Sequence, residues 1–151
     1  MLDLTAEFEA VLAALAEHSI EYAVCGGLAM AIHGYLRSTV DIDLLIRPED
    51  EERVFVAMEP LGYTFRARPM HFDKGAMEIR RVTKIGPTGD PLMLDLLLVT
   101  ARSEPVWNDR QRLTWRGRSV SVVSPEGLIA LKLSRSSLQD LADIERLRGG
   151  E

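Results

Sequence analysis

One stretch, Tyr22 to Ile46 (YAVCGGLAMAIHGYLRSTVDIDLLI), constrains the fold of this chain more than any other. Tyr22 to Cys25 is an apolar run that reads as a buried strand, and Gly26-Gly27 permits a sharp exit with close backbone approach. Residues 28, 29, 32 and 35 then carry apolar or aromatic side chains at helical spacing. Gly34 can end that helix, and Arg37-Ser38-Thr39 can turn the chain. Val40 to Ile46 reads as a second strand. Side chains alternate along a strand, so Asp41 and Asp43 share one face while Ile42, Leu44 and Ile46 share the other.

Two carboxylates two residues apart on a strand resist desolvation and repel each other. A divalent cation between them reverses the balance. Carboxylate oxygens suit Mg²⁺, which completes its octahedron with water and substrate phosphates. The glycine turn offers N–H groups for an anion. Together the two halves point to a metal-bound nucleoside triphosphate. Taken singly, each has a plainer reading: a Gly-Gly pair makes tight turns, and an Asp-x-Asp can lie on a solvated edge. Their order, separation and aliphatic flanks favour the site.

These residues resemble the signature of the nucleotidyltransferase superfamily with the polymerase-beta-like fold. The segment from Gly26 to Ile46 is most similar to the AbiEii-type toxin and toxin-like group, through Gly26, Gly27, Ala29, His33, Gly34, Arg37, Thr39, Asp41 and Asp43. The resemblance implies a third carboxylate on a neighbouring strand. Asp95 matches by type and context, within the otherwise apolar run Leu92 to Val99. A lone carboxylate in such a run needs a metal or another partner, unless it sits at a strand end. The group's tail also implies a helical Lys followed by a Lys-Asp-Leu-x-Asp-Ile segment. Lys132, Asp140 and Asp143 match it, whereas Gln139 replaces the basic residue and weakens the case for a phosphate contact there.

The remaining chain supplies a scaffold. Leu4 to His18 is amphipathic, with Asp3 or Thr5 as cap, and Pro48 to Glu52 opens a helix running to about Leu61. Tyr63 to Arg68 and Ala76 to Ile85 read as strands of a meander, followed by a turn at Gly86 to Pro91. Leu113 to Trp115 and Ser119 to Val123 form a hairpin about Arg116-Gly117-Arg118. Ser124 caps a helix through Arg135, and Gln139 to Ile144 opens or continues a last helix. The expected fold is α/β: a small mixed sheet with helices packed mainly on one face, as a single domain over 1–148 with a tail at 149–151.

At 151 residues the chain can bury one sizeable core. It has no run near the roughly 18 apolar residues of a membrane span, and its acidic N-terminus is unlike a secretory signal. A cytoplasmic protein with no membrane partner is expected, and the single Cys25 reads as core packing. The first 60 residues are strongly acidic and residues 61–120 basic, within a net charge of -5. That basic middle could face RNA or a triphosphate, or simply be solvated.

The resemblance implies transfer of a nucleoside monophosphate from a nucleoside triphosphate to an acceptor hydroxyl, with Mg²⁺ or Mn²⁺ as cofactor. Asp41, Asp43 and Asp95 are the expected catalytic and metal residues. Gly26, Gly27, Arg37, Thr39 and Lys132 would serve the nucleotide, with His33, Asp140 and Asp143 in support. The acceptor could be RNA, a protein or a small molecule. A cognate antitoxin and a homodimer are further candidate partners. The alternative is a non-catalytic nucleotide- or partner-binding module on the same scaffold, or an RNA-binding adaptor.

Overall fold

The computed structural model describes residues 2–35, 39–135 and 138–149. Helix α1, Leu4–Glu17, buries Phe8, Val11, Leu12 and Leu15 along the stripe set by its apolar period. Asp3 accepts hydrogen bonds from the N–H groups of Thr5 and Ala6, a cap that contributes about 1 kcal/mol. Strand β1, Ala23–Cys25, leads directly into helix α2, Gly26–Ile32. The helix therefore begins at the glycines themselves, two residues earlier than periodicity indicates, because Gly26 adopts φ +65° and turns the chain at once. Strand β2, Ile42–Ile46, follows, then a 3₁₀ turn at Pro48–Asp50 and helix α3, Glu51–Met58.

The meander comprises β3 (Phe65–Arg66), β4 (Met70–Phe72), β5 (Met77–Ile85) and β6 (Pro91–Leu98). Tyr63 does not join β3 but is buried, its hydroxyl donating to Glu7 of α1 at 3.0 Å. Next come α4 (Glu104–Asn108), the hairpin β7 (Gln111–Trp115) and β8 (Arg118–Val122), α5 (Pro125–Arg135) and α6 (Leu138–Gly149). Neither β4 nor α4 is expected from sequence, since three and five residues are too short to display a period. Ser124 caps α5 through the Gly127 N–H, and Gly149 belongs to α6 rather than to a tail.

The sheet is mixed, with strand order β3-β5-β6-β2-β1-β8-β7 and β4 also paired to β5. The β2–β6 and β1–β8 pairs are parallel; the others are antiparallel. This is an α/β architecture built on one mixed sheet. On one face Ile42, Leu44 and Ile46 pair with Leu94, Leu96 and Leu98, all buried. Helices α1 and α3 lie over that face: Lys84 of β5 pairs with Glu7, and Arg80 with Glu51. Each Leu or Ile buried there contributes on the order of 1.5–3 kcal/mol. The opposite face carries the acids. Among the described residues, no helix is long and apolar enough to cross a membrane.

Candidate active site

A single rung of the sheet crosses four strands and gathers the chemistry. Cys25 of β1 stands opposite Asp43 of β2, Asp43 opposite Asp95 of β6, and Asp95 opposite Arg81 of β5. Partners on a rung project to the same face, with strands roughly 4.8 Å apart, so Asp43 and Asp95 are neighbours. Asp41 precedes β2 and, two residues before Asp43, falls on the same side of the chain.

The glycine turn abuts this rung. A Cβ added to Gly26 would lie inside the Asp43 carboxylate, 2.8 Å from its Cγ, and φ +65° at this position also disfavours any other residue. Gly27 is buried in the first turn of α2. Thr39 Oγ1 donates to the backbone oxygen of Asp41 at 3.4 Å. His33, at the end of α2, has Nε2 within 2.8 Å of the Val123 oxygen, tying that helix to the segment between β8 and α5.

Arg81 is the residue that sequence reading misses. Its Nε donates to Asp95 Oδ1 at 2.7 Å and its Nη2 to Asp95 Oδ2 at 3.0 Å, a two-pronged pairing that matches guanidinium to carboxylate. Asp95 is 6% exposed overall. The hydrogen bonds to Asp95 hold the guanidinium more firmly protonated than usual. The negative charges of Asp95, Asp41 and Asp43 act in the same direction, so all three acids bear on one cation.

Lys132 and Asp143 meet in the helical layer. Lys132 Nζ of α5 lies 2.9 Å from Asp143 Oδ2 of α6, with side-chain exposures of 6% and 0%. The expected tail residues thus join two helices through a buried ion pair. Arg37 and the side chain of Asp140 lie outside the described residues.

A cavity of about 390 Å³ opens on the acid-bearing side. Leu45 and Leu97, themselves a rung pair, line it two residues beyond Asp43 and Asp95. Met77, Val106 and Leu131 supply further apolar wall, and Arg102 and Ser103 are its polar lining.

Fold and acid rung together define the class: a nucleotidyltransferase. The chain belongs to a family of uncharacterised nucleotidyltransferases, whose pattern it matches over residues 2–144. No curated protein gives a significant match. Among solved structures it is similar to the lincosamide antibiotic adenylyltransferase LnuA with lincomycin bound. That match has a TM-score of 0.62 at 16% identity, covering 95% of each chain. It is also similar to ANT(2'')-Ia in complex with adenylyl-2''-tobramycin, with a TM-score of 0.67 at 16% identity, covering 95% of this chain and 86% of the other.

Nucleotidyltransferases in general use a nucleoside triphosphate and divalent metal. The donor set here fits such a cation: carboxylate oxygens are hard ligands, and a guanidinium stands where positive charge is attracted. Among the described residues, no three His, Cys, Asp or Glu side chains already form a metal-holding group. Both oxygens of Asp95 are engaged by Arg81 instead.

Proposed function

We propose that this protein transfers a nucleoside monophosphate from a nucleoside triphosphate to a hydroxyl of a small organic acceptor. The in-register Asp43–Asp95 pair beside Gly26 carries the reading, because nothing in packing alone favours two adjacent carboxylates on one sheet face. Asp41 and Asp43 would hold Mg²⁺ or Mn²⁺. The cation, when bound, neutralises charge on the phosphates and on the departing pyrophosphate.

The residues of the chain do the positioning. Asp95 accepts the proton of the acceptor hydroxyl as its oxygen bonds to the α-phosphorus. The bond from that phosphorus to the bridging oxygen breaks, and pyrophosphate leaves with the electron pair. Gly26 and Gly27 would bring backbone N–H groups towards the phosphates. Arg37 and Thr39 serve the nucleotide from the segment before β2.

The cavity supports a compact acceptor with an apolar body. Its Leu45–Leu97 floor begins next to the acids, and pockets of this size suit small molecules. The two solved relatives carry antibiotic acceptors in their names, which agrees with this class and with an adenylyl group as the unit moved. A toxin-like enzyme with an RNA or protein acceptor and a cognate antitoxin is the competing acceptor assignment.

A second reading is a non-catalytic nucleotide- or partner-binding module. The observation favouring it is Arg81, which already neutralises Asp95. One experiment separates all three. Each α-labelled nucleoside triphosphate is incubated with Mg²⁺ and, separately, lincosamides, aminoglycosides, total RNA or cell protein, using wild type and Asp43→Asn. Label on a small molecule that disappears with Asp43→Asn supports the proposal. Label on RNA or protein replaces the acceptor class. Nucleotide binding without any transfer, unchanged by Mg²⁺, supports the module.

A further inference from the structure

The acid cluster contains a positive charge of its own, and its placement has a consequence for the order of binding. Arg81 faces Asp95 across the rung and occupies both carboxylate oxygens. Its side chain is 33% exposed against 9% for Asp95, so the guanidinium is the more solvent-accessible member of the pair. Arg80, the next residue, is on the other face and pairs with Glu51 and Glu78. Adjacent arginines therefore serve opposite faces, and of these two it is Arg81 that faces the acids.

We propose that Arg81 is a resident counter-cation of the acid cluster and makes binding of a divalent cation depend on bound nucleotide. The inference rests on the reading of Asp41, Asp43 and Asp95 as the cation site. Without nucleotide, a dication entering at Asp41 and Asp43 meets a like charge in the same cluster, and Asp95 offers only the lone pairs that Arg81 leaves. A triphosphate changes both terms. Its negative charges offset the guanidinium, whose exposed edge can donate to phosphate oxygens, as arginine does well. The cation then binds tightly only with nucleotide, and by linkage it strengthens nucleotide binding by the same factor. Arg81 is thus a positioning residue: it keeps Asp95 oriented and suppresses occupation of the site by cation alone.

The test uses Mn²⁺ as the probe, followed through the electron paramagnetic resonance signal of free Mn²⁺ as protein is added. Wild type, Arg81→Gln and Arg81→Lys are titrated with and without a non-hydrolysable ATP analogue, their folding checked by circular dichroism. Gln keeps a hydrogen-bond donor for Asp95 and removes the charge; Lys keeps the charge and loses the fork. Arg81→Gln is expected to bind Mn²⁺ alone about tenfold tighter than wild type, a change equivalent to about 1.4 kcal/mol. With the analogue present that advantage shrinks severalfold, and Arg81→Lys stays near wild type throughout. Equal affinity of wild type and Arg81→Gln for Mn²⁺ alone overturns the proposal. Wild type also carries an independent arm: its affinity for the analogue should rise about tenfold with Mn²⁺, and no rise overturns the proposal even if Arg81→Gln fails to fold. Wild type that binds no Mn²⁺ even with the analogue removes the cation reading of the three acids as well, so the two failures are distinct.

Discussion

The α-carbon of Gly26 rests against the carboxylate of Asp43, so closely that a methyl group on the glycine would occupy the space of the acid. The bend that ends β1 and the acid on β2 are therefore one packing unit. Gly26→Ala should push Asp43 off the rung and strain a residue at φ +65°. The stability cost is expected at about 1–3 kcal/mol. The loss in kcat/KM should be larger, about 100-fold, since displacements near 1 Å are enough for that. Denaturant unfolding and steady-state kinetics on the same preparation check both numbers.

Lys132 and Asp143 predict a stability phenotype. Lys132→Met removes the Lys132 cation from beside a fully buried carboxylate, and stability should fall by up to about 3–5 kcal/mol. Lys132→Met combined with Asp143→Leu removes both charges and should recover most of it. Chemical denaturation of the single and double variants measures the difference. If the double variant is stable and inactive, Lys132 acts on substrate as well as on α6.

Glu7 joins α1 to the sheet through two partners, Tyr63 and Lys84. Burial, aided by the charge and hydrogen bond of Glu7, pushes the Tyr63 phenol well above its ordinary value, so it remains a donor at all working pH. Tyr63→Phe should cost about 1 kcal/mol. Lys84→Met should cost about 2 kcal/mol or more, because Glu7 is then left with only the phenol. A double-mutant cycle read by thermal unfolding tests whether the two effects are coupled.

Asp90 closes the turn between β5 and β6. It accepts from Thr88 Oγ1 at 2.6 Å and from the Leu2 N–H at 2.9 Å. These hydrogen bonds, that from Thr88 foremost, lower its pKa from 3.8 to about 2. A depressed carboxylate stabilises the fold above its unfolded pKa and loses that contribution as pH falls through the folded value. The Asp90 contribution should thus be intact above pH 4 and vanish towards pH 2. Asp90→Asn should flatten that part of the stability profile, and carbon-13 carboxyl titration should find the low value directly.

Ala130 of α5 lines the cavity from an exposed position, so a large side chain there can fill it without disturbing the core. Ala130→Trp should raise KM for the acceptor about tenfold or more, since one apolar pocket contact is worth up to a few kcal/mol. KM for nucleotide should stay within twofold. A rise in both would place the acceptor elsewhere.

The central strands and the acid pair could be read because they are local: aliphatic runs, a glycine pair and alternation put Asp41 and Asp43 on one side. Arg81 was hidden by a conflict of patterns. Along β5, Met77 and Ile79 share its face, yet Val82 is buried on the other, so Arg80-Arg81 reads as solvent-facing charge. Hairpin arithmetic contains the missing signal. Arg81 and Asp95 lie at equal distances from Thr88, and the pairing of Ile85 with Pro91 sets that register. For Lys132, helical periodicity reports the face that meets the sheet, while the partner on α6 is fixed only by tertiary packing. Short α4 and β4 had no period to show.

Because the acid cluster is a straight row across β1, β2, β6 and β5, its alignment is a counting property of the connections between strands. Slipping β6 by one position would swing Asp95 in among the leucines beneath α1 and aim an aliphatic side chain at Asp43. Between Arg81 and Asp95, residues 82–94 should therefore tolerate substitution far better than any change in length. The connection at 99–110, which leaves the row after its last member, is where loops can be lengthened to accommodate a different acceptor.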